Sequence, residues 1–147
     1  MKKINEMELK FKAISVNEGF ARACVAAFCV QANPSLDEIT DIKTAVSEAV
    51  TNAVVHAYPN HEGDVIVKVQ LFENGVQVEV IDKGIGIENI GKAREPFYTS
   101  KPADERSGMG FTVMESFMDS VEVESKEGVC IKMFKRFGKN NMMAVGE

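Results

Sequence analysis

A chain of 147 residues is sized for one domain, and a globule of that length buries about 70% of the surface its unfolded chain exposes, so its core needs no staple. Its 17 basic and 22 acidic residues leave a formal charge of -5, which excludes a broad electrostatic surface for nucleic acid or anionic lipid; any polyanion must be held locally. Cys24, Cys29 and Cys130 form no CxxC pair, which argues against a zinc framework and for a reducing, cytoplasmic setting, and the longest apolar run, Ala23 to Val30, is too short to span a bilayer.

Met1 to Lys12 interleaves charged with apolar side chains and lacks the continuous apolar stretch of a secretion signal. Met7, Leu9, Phe11 and Ala13 alternate with Glu8, Lys10 and Lys12, which predicts a strand with one buried face from Glu8 to Ile14. Ser15 with Glu18, and Ser35 with Glu38 behind Pro34, both have capping-box spacing, so two helices are expected, Val16 to Gln31 and Leu36 to Ala57. In the second, Leu36, Ile39, Ile42, Val46, Ala49, Val50, Ala53 and Val54 recur at steps of three and four and make one apolar stripe before Pro59 stops the helix. Val65 to Phe72 and Val76 to Ile81 are rich in branched residues, and the Asn74-Gly75 pair between them suits a type I′ hairpin turn.

From Asp82 to Gly110 no periodicity is sustained, and five glycines and two prolines mark a long connection of the kind reserved for functional lids. Phe111, Met114, Phe117 and Met118 then predict a short amphipathic helix starting at Gly110. Two strands, Val121 to Ser125 and Val129 to Phe137, turn at Glu127-Gly128. A single domain over residues 1–137 with a frayed tail over 138–147 is expected. Its element order points to an α+β two-layer sandwich, a mixed but mostly antiparallel sheet with helices on one face.

Three short patterns can carry chemistry. Glu48, Asn52 and His56 lie at i, i+4 and i+8, on nearly the same side of the second helix. An amide oxygen is a hard ligand suited to Mg²⁺, and a carboxylate one turn away can accept a proton, although such a face can equally be plain solvated helix. Asp82-Lys83-Gly84-Ile85-Gly86 delivers an acceptor-only carboxylate at a strand end, matched to an exocyclic amine such as that of adenine, while its glycines let the backbone approach a ligand; a simple turn has the same composition. Arg106-Ser107-Gly108-Met109-Gly110 precedes a helix and can aim backbone amides at phosphate oxygens, or can be merely a glycine-rich helix entry. The stretch from Ile87 to Gly110 balances Lys92, Arg94, Lys101 and Arg106 against Glu88, Glu95, Asp104 and Glu105, so phosphates there would be met by amides, Mg²⁺ and one or two aimed cations. Two other patterns fail: Gly86 to Lys92 has P-loop spacing but is followed by Ala93 instead of a hydroxyl, and Gly84-Ile85-Gly86 lacks the third glycine of a dinucleotide fingerprint because Asn89 stands there.

Taken in order, Glu48-x-x-x-Asn52, Asp82-x-Gly84-x-Gly86 and Gly108-x-Gly110 resemble the N, G1 and G2 boxes of the ATPase superfamily that includes gyrase B, histidine kinases and MutL. Longer stretches, Phe20-Ala21-Arg22, Ser47 to Ala53, Thr99 to Pro102 and Glu105 to Thr112, are similar to the sporulation anti-sigma F factors, and the likeness covers almost the whole chain. That resemblance implies a Bergerat ATP-binding fold and a homodimeric serine protein kinase that sequesters a sporulation sigma factor, sigma F, and uses Mg-ATP to phosphorylate a small anti-anti-sigma protein. It implies Glu48 as general base, Asn52 as Mg²⁺ ligand, Asp82 as adenine reader and Arg106 as γ-phosphate contact. Gly84, Gly86, Ser107, Gly108, Met109 and Gly110 would shape the nucleotide loops, and Arg22 would touch a protein partner. Members of the family commonly carry threonine after the glycine of the last hairpin, whereas Val129 and Cys130 follow Gly128 here, which removes a hydroxyl expected near adenine. A nucleotide-sensing anti-sigma module without phosphotransfer, and a stress-response anti-sigma kinase with other partners, fit the same motifs. The catalytic half of a histidine kinase does not, because the chain has no room for its acceptor helix hairpin.

Overall fold

The computed structural model describes residues 2–95 and 110–138; residues 96–109 and 139–147, and Met1, lie outside it. Five strands form one sheet in the order β1-β2-β3-β5-β4: β1 (Lys3–Lys12), β2 (Asp64–Phe72), β3 (Gly75–Asp82), β4 (Ser120–Lys126) and β5 (Gly128–Arg136). Every pair is antiparallel, so the sheet is not mixed. The helices α1 (Val16–Cys29), α2 (Leu36–Asn52) and α4 (Gly110–Phe117) contribute to one core against one sheet face, and a four-residue α3 (Ile90–Ala93) follows β3.

Alternation decides which face of the sheet is covered. Val65, Val67, Val69 and Leu71 of β2 point inward and sit beside Val76, Val78 and Val80 of β3, with Val67 opposite Val80 and Val69 opposite Val78. Val78 and Val80 in turn face Met133 and Ile131 of β5. Onto this surface α2 lays Ile42, Ala45, Val46, Ala49 and Val50, all fully buried, and α1 lays Ala21, Val25 and Cys29. Each buried valine contributes roughly 1.5–3 kcal/mol relative to an exposed one. Burial also pushes the Cys29 thiol up to about 12, so it behaves as a small apolar side chain.

Several local expectations change in the structure. Strand β1 begins five residues earlier than the predicted strand, because the backbone ladder to β2 captures Lys3 to Glu6 without needing a buried face there. The Ser35 capping box forms in full, Ser35 Oγ accepting from Glu38 N–H at 3.0 Å and Glu38 Oε1 accepting from Ser35 N–H at 2.7 Å. Ser15 does not cap α1: its own backbone is already helical, at φ -58° and ψ -34°, and its side chain makes no cap bond, while Glu18 pairs with Arg22. The β2–β3 hairpin closes at Phe72 opposite Gly75, so Glu73 and Asn74 are its corner residues. Neither has positive φ, which excludes the expected type I′ turn. Gly75 is needed for a different reason, since a Cβ there would lie 2.7 Å from the Phe134 ring and 2.9 Å from the Lys135 carbonyl oxygen. At the same end of the sheet, where Gly75 pairs with Arg136, Gly138 N–H donates to Glu38 Oε2 at 3.2 Å, which pins the exit of β5 to the start of α2.

The second helix does not run as one α-helix to Ala57. It is α-helical to Asn52 and continues as a π-helical turn over Ala53–Ala57. Such widened turns concentrate at functional sites, and this one falls directly after Asn52.

Candidate functional site

A cavity of about 570 Å³ opens between the end of α2, the C-terminal end of β3, the segment through α3, and the start of α4. Asn52 and His56 reach it from the helix, Asp82 from the last position of β3, Gly86 from the loop after it, and Gly110 from α4, while Val80, Val129 and Ile131 give it an apolar floor. Asn52, Asp82 and Gly110, one residue from each motif and up to 58 positions apart, therefore line one cavity.

Asp82 is only 6% exposed, the one charged residue buried among the described residues. Its Oδ1 accepts from Gly84 N–H at 2.9 Å and from Val129 N–H at 3.2 Å. Burial raises its pKa above the usual carboxylate value, and the two backbone bonds pull against that rise without reversing it. Among the described residues no hydrogen bond engages Oδ2, which suits an incoming amine donor.

The loop after Asp82 is held almost atom by atom. Ile85 N–H donates to the Ala57 carbonyl at 3.0 Å, and Ile87 N–H donates to Ser125 Oγ at 2.7 Å. Tyr58 OH accepts from Lys83 N–H and donates to the Asp64 carbonyl, both at 2.7 Å, so one hydroxyl ties the end of the π-helical turn to two strand ends. A Cβ on Gly84 would overlap the Ala57 carbonyl, and a Cβ on Gly128, at φ +93°, would overlap the Asp82 carbonyl. Tyr58, Ser125 and Gly128 are thus part of the site. Only Gly128 carried a sequence signal, and that signal read as a turn; the roles of Tyr58 and Ser125 depend on contacts 25 and 38 residues away in sequence.

Glu48 sits on the other side of Asn52. A Cβ placed on Gly110 would lie 3.5 Å from Glu48 Oε2 and 3.6 Å from Asn52 Oδ1, so both side chains converge on the first residue of α4. Glu48 lines a second, shallower cleft of about 330 Å³ with Arg22, Lys43, Thr44 and Ser47. Arg22 Nη1 pairs there with Glu18 Oε2 at 3.3 Å. The carboxylate thus stands where the two hollows approach each other, with the acceptor side chains of Asn52 and Asp82 on one side and a basic, hydroxyl-bearing surface on the other. Of the two residues after Gly128, Val129 faces the cavity with an alkyl side chain. Cys130 points to the opposite sheet face, where its thiol donates to Glu79 Oε2 at 3.7 Å and is pushed up to about 11 by burial and then by Glu79. Arg106, Ser107, Gly108 and Met109 lie outside the described residues.

Among the described residues no cluster of three His, Cys, Asp or Glu side chains could hold a metal ion. No helix among these residues is long and apolar enough to cross a membrane.

Fold and site define a histidine kinase-like ATPase domain, and a family model of that description matches residues 12–135. The chain is 56% identical to the anti-sigma F factor of Clostridium acetobutylicum, over 90% of this chain and 92% of that one. It is 51% identical to that of Caldanaerobacter subterraneus, over 92% and 96%, and 57% identical to that of Clostridium beijerinckii, over 84% and 87%. The chain belongs to the anti-sigma F factor family. Among solved structures, the RsbU and RsbW domains of a Mycobacterium tuberculosis protein share the fold, with a TM-score of 0.67 at 20% identity, the match covering 90% of this chain and 32% of that one.

Proposed function

We propose that this protein binds Mg-ATP in the 570 Å³ cavity, phosphorylates a serine of a small anti-anti-sigma protein, and holds a sporulation sigma factor of the sigma F type inactive. The observation that carries the reading is the convergence of Asp82, Asn52 and Gly110 on one cavity with Glu48 immediately beside Asn52. Family membership supports the anti-sigma role, since the relatives are named for it.

Bound Mg-ATP would supply the transferable phosphoryl group and neutralise its charge. In this reading Asp82 accepts the adenine amine through Oδ2, Val80, Val129 and Ile131 receive the base, and Asn52 Oδ1 ligates the cation. Glu48, at the meeting of the two hollows, takes the proton of the serine hydroxyl, and the cleft with Arg22, Lys43 and Ser47 receives the segment that carries it. Arg106 is assigned to the γ-phosphate, and Ser107 to Gly110 to backbone contacts with the phosphates. A partner contact at Arg22 is part of the same proposal. So is a homodimer, for which the edge strand β1 and the exposed Phe20 offer a surface; the setting is the cytoplasm, where sigma factors act.

Incubation with labelled ATP and a small anti-anti-sigma partner tests the chemistry. Acid-stable phosphoserine on the partner is the expected product; nucleotide binding without label would leave a nucleotide-sensing anti-sigma module instead. Light scattering tests the dimer, and a monomer at micromolar concentration would remove that part.

A further inference from the structure

The segment after β3 returns to the cavity through α3. Asn89 Oδ1 caps this helix by accepting Lys92 N–H at 3.0 Å, and Asn89, Lys92 and Ala93 all line the cavity. A four-residue helix has too few internal hydrogen bonds to hold its own place, so its position must come from tertiary contacts. Ile87 and Ala93 supply apolar packing against the core, which is adhesive but non-directional. Ile87 N–H is tied to Ser125 Oγ before α3, and a directional contact after it comes from the next residue. Arg94 Nη2 donates to Glu115 Oε2 on α4 at 2.9 Å and to the Val121 carbonyl of β4 at 3.0 Å. These bonds join α3 to the same helix whose first residue, Gly110, faces Glu48 and Asn52.

We infer that Arg94 is a positioning residue for the nucleotide: bonded to Glu115 and the Val121 carbonyl, it holds Asn89, Lys92 and Ala93 as one wall of the cavity at a set distance from α4. The inference rests on the cavity being the nucleotide site. Arg94 itself does not line the cavity, so its effect is on affinity and not on the chemical step. The pair is only half-buried, with Arg94 and Glu115 side chains 26% and 46% exposed, so it adds little to global stability.

Calorimetric titration with Mg-ATP, alongside thermal unfolding, tests this on the full chain. Arg94→Ala is expected to weaken binding by about tenfold with Tm nearly unchanged, and Glu115→Lys, which turns the attraction into repulsion, to weaken it by a similar factor. The double variant is expected to bind no worse than the weaker single one, because both lose the same tether. In phosphotransfer the KM for ATP rises in step while kcat at saturating ATP holds. Wild-type affinity in Arg94→Ala overturns the inference; if that variant does not fold, wild-type affinity in Glu115→Lys does so. Fully additive losses in the double variant would also overturn it. Failure of the unmodified chain to bind Mg-ATP would be a different result, removing the nucleotide site and the inference with it.

Discussion

The half of the cavity around Asp82 and the half around Asn52 are built by different means. Around Asp82 the backbone itself is pinned: the N–H groups of Lys83, Gly84, Ile85, Ile87 and Val129 go to Tyr58, Asp82, Ala57, Ser125 and Asp82 in turn. Gly84 and Gly128 stand where any side chain would overlap a neighbouring carbonyl. Around Asn52 the determinants are side chains on one helix face, Glu48, Asn52 and His56, meeting the bare backbone of Gly110. The first half is defined sterically, so editing it edits the fold. The second is defined chemically, and its groups can be removed with the fold left standing.

The largest expected effect breaks the second half alone. Glu48→Ala is expected to slow phosphotransfer by roughly 10²- to 10⁴-fold with Mg-ATP affinity and Tm retained. Asn52→Ala is expected to lose both binding and transfer. Rapid-quench assays beside calorimetry check this pair, and near-normal kinase activity in Glu48→Ala would remove the base assignment. Next comes the steric half: Gly128→Ala puts a Cβ against the Asp82 carbonyl at a backbone angle that side chains avoid. A loss of about 3 kcal/mol or more in denaturant unfolding is expected. A mild effect would mean that the hairpin can move away from β3.

Asp82→Asn separates steric from chemical roles inside one residue. The amide oxygen can still accept from Gly84 and Val129, but the buried charge is gone, so Tm is expected to hold or rise while Mg-ATP affinity falls by more than about tenfold. The sign of the pH dependence follows from the same burial. With a pKa raised in the folded state, Asp82 stays protonated longer in the native chain than in the unfolded one. Its contribution to stability therefore declines as pH rises from the ordinary carboxylate value through the raised one, whereas nucleotide affinity, which needs the ionised form, increases over that same interval. Affinity measured across mildly acidic pH checks it, and the dependence should vanish in Asp82→Asn. The smallest effect is expected for Tyr58→Phe, which deletes two hydrogen bonds at one atom and keeps the ring over Gly63. About 1–2 kcal/mol of stability and a few-fold of affinity are expected to go, read by thermal unfolding and titration.

Much of this organisation was legible in the chain itself. Branched residues located β2 and β3, and the three- and four-step stripe named the buried face of α2 from Ile42 to Ala53, because burial of apolar area is the dominant force in folding and leaves a periodic record; Leu36, at the start of that stripe, is 85% exposed because it sits in the first turn, beyond the reach of the sheet. The Ser35 box was legible for a local reason too, since its partners are three residues apart. Ser15 has the same spacing and makes no cap, because its backbone is drawn into the helical region, which spacing does not reveal. The Asn74-Gly75 pair located the hairpin and misassigned its turn, since Gly75 answers to Phe134 and Lys135 on a strand that local pattern cannot see.

From sequence alone came an acidic α+β chain, the positions of its main helices and hairpins, and the candidate residues for a nucleotide site. Those depend on composition, periodicity and side-chain chemistry, all of which are local. Tertiary structure decided that Asp82 is buried and shifted, that α2 widens into a π-helical turn after Asn52, and that Tyr58, Ser125, Gly128 and Arg94 hold the cavity's walls. Each of these depends on atoms brought together from distant parts of the chain, and steric overlap, desolvation and hydrogen-bond geometry act only once those atoms are in contact.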